Sequence, residues 1–147
     1  MKQILSILIL WFFTLPAFSQ AYNKFVRKGN EKYEQKEFQE AEIDYRKALE
    51  LNERSVKGSF NLGDALYQQE NYSESAKSFA EVAATHDDEK IQAGAYHNLG
   101  NSLLKEKKYA ESIEAYKKAL RKNPSDLDTK YNLAYAREML KQQQQQQ

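Results

Sequence analysis

Two stretches decide the fold: Asn61-Leu62-Gly63-Asp64-Ala65-Leu66-Tyr67 and Tyr109-Ala110-Glu111-Ser112-Ile113-Glu114-Ala115-Tyr116-Lys117-Lys118-Ala119-Leu120. In the second, Ile113, Tyr116 and Leu120 recur three and four apart, the spacing of one buried helix face. Both stretches have copies elsewhere. The first returns as Phe25-Val26-Arg27-Lys28-Gly29 and Tyr96-His97-Asn98-Leu99-Gly100. The second returns around Phe38, Ala41, Tyr45 and Ala48-Leu49, and around Tyr72, Ser75, Phe79 and Val82. Gly29, Gly63 and Gly100 stand 34 and then 37 residues apart. A further 34 residues lead to Ala134, inside Tyr131-Asn132-Leu133-Ala134, a fourth copy that stops after one helix.

A repeat of this length reads as two amphipathic helices joined by a polar turn, such as Gln68 to Asn71 or Lys105 to Lys108. One such pair cannot bury its own apolar face; stacking against the next pair does. The repeats fall at about 22–55, 56–92 and 93–126, within a domain spanning 20–140. A last helix, Leu127 to Leu140, covers the open end. Ser55 and Ser125 are the expected helix N-caps, the latter with Asp128 three residues on. The three extra residues between repeats two and three fall near Thr85-His86-Asp87-Asp88-Glu89-Lys90 and are expected to lengthen a solvated loop. The sharper reading, a weak metal site at His86, Asp87 and Asp88, is poor because adjacent residues do not converge easily on one ion. Lys141 and the six Gln after it form a low-complexity tail over 141–147. Gln is a fair helix former, so the last helix is able to run into it.

Composition narrows the function. The 147 residues are 41% apolar and 29% charged, with 5 Gly and no Cys. Without Cys there is no disulfide scaffold, thiolate zinc site or Cys nucleophile. The formal charge of +1 gives no field that would steer the protein onto nucleic acid or anionic lipid. Residues 1–19 read as a secretory signal peptide: Lys2, the apolar run Ile4 to Leu15, Pro16, then Ala17-Phe18-Ser19 as a cleavage motif. The rival reading is an uncleaved anchor, for which the run falls short of the roughly 20 apolar residues of a span. Cleavage after Ser19 would leave a chain of zero net charge in the periplasm or cell envelope.

The 34-residue period and the two quoted stretches resemble the tetratricopeptide repeat (TPR) family over about residues 22 to 140. Lys28 and Lys32 depart from the family pattern in repeat one, as does Ser59 in repeat two, and Pro124 is the one repeat-closing Pro. The resemblance implies an all-α, right-handed superhelical solenoid of three helix-turn-helix repeats plus a capping helix. It implies that Gly100 faces the small Ser112, and Gly29 the small Ala41, so that paired backbones approach closely, and it implies a concave groove lined by the first helix of each repeat. Carried over position by position, the first repeat contributes Asn23, Val26, Arg27, Asn30 and Tyr33. The second contributes Lys57, Phe60, Asn61, Asp64 and Tyr67. The third contributes His97, Asn98, Asn101, Leu104 and Lys105, and the cap helix adds Tyr131, Asn132 and Tyr135. Amides can bond an extended peptide backbone at both N–H and C=O, and aromatic rings give contact area at low entropy cost. The alternative is that Asn61, Asn98 and Asn132, which share one register, recur because the repeat itself favours them. Cochaperone TPRs grip a C-terminal carboxylate. Asn30 and Asn61 match two positions of that clamp, but Val26, Gly94 and Asn98 stand where its basic residues belong.

Catalysis needs a nucleophile with a base, paired carboxylates in a pocket, or a metal. No H-E-x-x-H or G-x-S-x-G occurs. Of the two His, His86 falls in the polar loop and His97 on the first helix of repeat three, and the carboxylates sit among Lys and Arg as on a solvated helix face. No catalytic residue, metal or cofactor is expected. The TPR array, Lys130-Tyr131-Asn132-Leu133-Ala134 and the Gln-rich end together resemble the exported TPR proteins of bacterial aerotolerance (Bat-type) operons. That resemblance implies an envelope scaffold engaging membrane proteins with von Willebrand factor A domains, touching the membrane only through such partners. A self-assembling spacer, in which copies stack as homo-oligomers, and an accessory subunit of an envelope enzyme are the competing readings.

Overall fold

The computed structural model describes residues 20–146, so the signal-peptide reading falls on residues outside the described ones. Wherever apolar residues recur three and four apart the chain is helical. The described helices are α1 (20–34), α2 (Phe38–Leu51), α3 (Val56–Gln68), α4 (Tyr72–Thr85), α5 (Glu89–Lys105), α6 (Tyr109–Lys122) and α7 (Leu127–Gln145). There is no strand among the described residues, and no described helix is long and apolar enough to cross a membrane. Consecutive helices pack on one another. Three antiparallel pairs, α1–α2, α3–α4 and α5–α6, stack as a TPR solenoid, and α7 closes the end.

The core lies between the layers. Tyr45 and Ala41 of α2 pack on Leu62, Ala65 and Leu66 of α3. Val82 and Ala83 of α4 meet Ala95 of α5. At the closing end, Ile113 and Tyr116 of α6 are covered by Leu133 and Ala136 of α7, with Leu140 packed alongside. Leu133 and Ala136 are 8% and 0% exposed, which shows α7 acting as the expected cap.

Each turn inside a repeat follows one plan. The N–H of Glu70 bonds the carbonyl of Tyr67, and the N–H of Asn71 bonds that of Leu66. Lys36–Glu37 and Lys107–Lys108 repeat the pair. This is a Schellman motif, whose central residue is left-handed and is usually Gly. In this chain it is Lys36, Glu70 and Lys107, with φ of 63°, 61° and 60°.

Three expectations change. The N-cap of α7 is Asp126, whose carboxylate accepts from Thr129 N–H, and not Ser125; Ser125 instead donates to Asn123 Oδ1. Asp offers two acceptor oxygens at a helix N-terminus that favours negative charge. Ser55 does cap α3, accepting from Gly58 N–H at 3.0 Å. Secondly, the three extra residues extend a helix, not a loop. The α4–α5 link is only His86 to Asp88, while α5 has 17 residues against 13 in α3. Asp88 starts α5 early by accepting from the N–H of Lys90 and of Ile91. Thirdly, α7 passes Leu140 and runs through the Gln tract to Gln145, with Gln142 bonded back to Glu138.

Candidate functional site

The glycines bring each helix pair together, though not quite as their sequence partners suggest. A Cβ on Gly100 would lie 2.4 Å from the Tyr116 ring, one on Gly63 2.8 Å from Phe79, and one on Gly29 2.5 Å from Tyr45. The aromatic ring four residues beyond the small residue therefore fills the space. The small residue does a second job: Ser112 donates to the Gly100 carbonyl and Ser75 to the Gly63 carbonyl. Ala41 has no hydroxyl to do the same in repeat one.

The residue after each Gly faces the next layer. Asn30 Oδ1 accepts from the Tyr45 hydroxyl and from Asn61 Nδ2, both at 2.9 Å. Asn101 Oδ1 accepts from the Tyr116 hydroxyl at 2.7 Å and Asn132 Nδ2 at 3.0 Å. In the middle repeat Asp64 takes this place and accepts from Asn98 Nδ2 at 3.3 Å. The shared register of Asn61, Asn98 and Asn132 thus has a structural cause: each staples its first helix to that of the preceding repeat. Their amide N–H groups are partly committed, and the oxygens of Asn30 and Asn101 are spent. Tyr45 and Tyr116 are pushed up by burial, Tyr45 to about 12, so both stay neutral donors. Burial also raises Asp64 to about 6.

Two cavities open on the face made by α1, α3 and α5. One, of about 270 Å³, is lined by Asn30, Tyr33, Glu34, Tyr45, Lys57, Asn61 and Asp64. The other, of about 510 Å³ and mostly apolar, is lined by Val56, Lys57, Phe60, Asn61, Lys90, Ile91 and Gly94. Lys57 and Asn61 belong to both, so the cavities adjoin. The structure thereby brings together Asn30, Tyr33, Lys57, Phe60, Asn61 and Asp64 from the expected lining. Tyr67 sits further along α3, edge-on to Tyr72 at 5.2 Å between centroids.

Other expected lining residues fall elsewhere. Val26 is 3% exposed and belongs to the core. His97 is half-buried under α7. Its Nδ1 lies 2.6 Å from Thr129 Oγ1, whose hydroxyl donates to Asp126. That chain of donors places the His97 proton on Nδ1, and burial lowers its pKa against the pull of Asp126 and Asp128. Asn98 and Asn101 lie in the staples. Tyr131 and Tyr135, 73% and 48% exposed on α7, line neither cavity. Glu34, Lys90 and Ile91 were not expected. Ile91 and Lys90 join the site only because α5 begins a turn early, and Asp88 followed by Glu89 was the available sign of it. Among the described residues no three His, Cys, Asp or Glu side chains gather as a metal site.

Models of the tetratricopeptide repeat match residues 26–90 and 93–126. No curated relative matches the chain. Among solved structures, the first TPR of Spaghetti bound to an HSP90 peptide superposes with a TM-score of 0.76 at 19% identity, covering 83% of this chain and 94% of that one. The N-terminal domain of stress-induced protein-1 from C. elegans gives 0.74 at 21% identity, covering 82% and 98%. The TPR2AB domain of yeast Sti1 in complex with an HSP90 peptide gives 0.74 at 24%, covering 86% of this chain and 50% of that one. At these identities the likeness is one of fold.

Proposed function

Because the chain belongs to the tetratricopeptide repeat family, we propose that it is a non-catalytic adaptor holding an extended segment of a partner protein along α1, α3 and α5. The observation that carries this reading is the pair of adjoining cavities that share Lys57 and Asn61. A polar, tyrosine-rich cavity beside an apolar one suits a peptide: backbone groups meet amides and hydroxyls, and a side chain is buried next to Phe60 and Ile91. The Spaghetti and Sti1 structures carry HSP90 peptides. This chain has Val26, Gly94 and Asn98 where the basic residues of a carboxylate clamp belong, so its segment differs from theirs.

The segment is proposed to belong to a cell-envelope partner. Support comes from the Ile4 to Leu15 apolar run with its Ala17-Phe18-Ser19 motif, and from the resemblance to Bat-type proteins, which points to von Willebrand factor A membrane proteins. Photo-crosslinking tests the groove. Benzoylphenylalanine replacing Lys57 in the full chain should capture a partner that the same residue at Lys77, on the outside of α4, does not. Equal capture at both positions refutes the groove. Amino-terminal sequencing of the cell-envelope fraction tests export and should read from Gln20.

Self-association is a second reading, favoured by Leu127 and Tyr131, which are 74% and 73% exposed on α7. Sedimentation of Leu127→Asp and Tyr131→Asp tests it without touching the buried Leu133.

A further inference from the structure

We infer that the cavity around Asp64 selects a cationic side chain, lysine or arginine, on the segment that occupies the groove; this rests on the groove reading above. The first ground is a break in the repeat. After Gly29 and Gly100 comes Asn, and each of those amide oxygens receives a tyrosine hydroxyl and an asparagine N–H. After Gly63 comes Asp, and the ring that should supply the hydroxyl is Phe79. The middle site has therefore gained a charge and lost a donor. Asn98 at 3.3 Å is its one hydrogen-bond donor among the described residues, and no cation among them comes within ion-pair distance. Asn would satisfy the fold at this position, as it does in the two sister repeats. A half-buried carboxylate costs solvation that a bound cation would return as a charge-assisted hydrogen bond.

The second ground is the cavity. Asp64 shares its 270 Å³ with the half-buried ring of Tyr33 and with Tyr45, whose ring is packed against Gly29, and Glu34 stands exposed at its edge. An accessible aromatic ring, that of Tyr33, beside a carboxylate suits a guanidinium or ammonium. The charged and titratable groups around Asp64 are few. From α1 come Tyr33 and Glu34, and from α2 Tyr45. From α3 itself come Lys57, exposed at the junction with the apolar cavity, and Tyr67. From α4 come the uncharged Phe79 and Tyr72, and from α5 Asn98 and Lys105, whose charge acts on Tyr67. Among the lining residues an anionic group would face the carboxylates of Glu34 and Asp64 and one lysine, Lys57, with Lys105 set further off beside Tyr67.

The test is an array of acetylated, amidated octapeptides of Gly, Ser and Leu carrying Lys, Arg, Glu or Ala at one central position. It is probed with protein purified from cells expressing the full chain. Lys and Arg peptides should bind on the order of tenfold to a hundredfold better than Ala ones at pH 7.5. Asp64→Asn, which copies the sister repeats and so keeps the fold, should abolish that preference, and Glu34→Gln should reduce it. Lowering the pH to 5 should weaken Lys and Arg binding roughly tenfold, because a carboxylate that titrates near 6 is then mostly protonated. A preference for Glu peptides, or a Lys preference that survives Asp64→Asn, overturns the inference but leaves the groove reading standing. No binding by any peptide overturns both.

Discussion

Gly94 and Gly100 lie six residues apart on α5, and the same substitution should have opposite signs at the two. Alanine is worth about 1 kcal/mol over glycine inside a helix. At Gly94 a Cβ would meet Phe60 at 3.6 Å, an ordinary contact, so Gly94→Ala should gain about 0.5–1 kcal/mol. At Gly100 the Cβ would fall 2.4, 2.6 and 2.9 Å from three atoms of the Tyr116 ring. That ring is 0% exposed, and its hydroxyl donates to Asn101 at 2.7 Å. Overpacking costs roughly 1–3 kcal/mol, and a strained or lost hydrogen bond about 1 kcal/mol more. Set against the helix gain, these terms leave Gly100→Ala with a loss of about 1–3 kcal/mol. Urea unfolding followed by circular dichroism reads both, as opposite shifts of the midpoint at unchanged slope. In heat, a loss of that size should lower Tm by about 3–5 °C per kcal/mol. A Gly100→Ala protein as stable as the parent would refute close glycine–tyrosine packing as the basis of helix pairing.

Further expectations concern turns, charge and caps. Lys107→Gly should stabilise the fold by about 0.5–1 kcal/mol, because φ of 60° costs a residue with a Cβ and not glycine; a lower urea midpoint would contradict this. Asp64 titrates higher in the folded chain, about 6, than its ordinary 3.8. The folded state therefore holds the extra proton between those values, and stability should fall as pH rises from about 4 to 6, then level off. Asp64→Asn should remove that slope and stabilise the protein at pH 7 by about 1–3 kcal/mol. Urea midpoints at pH 4.5 and 7.5 decide it, and an unchanged slope in the variant counts against the assignment. Asp126→Ala should cost about 1 kcal/mol as a lost cap and lower the His97 pKa further, since Asp126 is the first of the two groups holding it up. An NMR titration of His97 that does not move would show the two are not coupled.

Much of this protein is legible in its sequence, for reasons that are local. The 34-residue spacing, the glycines, and apolar residues at helical intervals specify the helices, their pairing and the closing role of α7 without reference to any distant contact. The shared face of Asn61, Asn98 and Asn132 was legible too, because a helix places every residue of one register on one face. What the sequence left open depended on which groups meet across layers. Ser125 and Asp126 are both sound caps in isolation, and the bond to Thr129 decides between them. The extra residues before repeat three could lie in loop or helix until Asp88 captured two N–H groups of α5. His97 lies in the same register as Phe60, yet α7 covers it and Thr129 engages its ring. The difference between Asp64 and its sister asparagines is visible in the sequence as one letter. Its meaning is not, because only the packed structure shows that the hydroxyls of Tyr45 and Tyr116 reach the residue after the glycine, the place where Phe79 brings none. Periodicity acts along the chain and is written there; the partners of a buried polar atom are chosen across it.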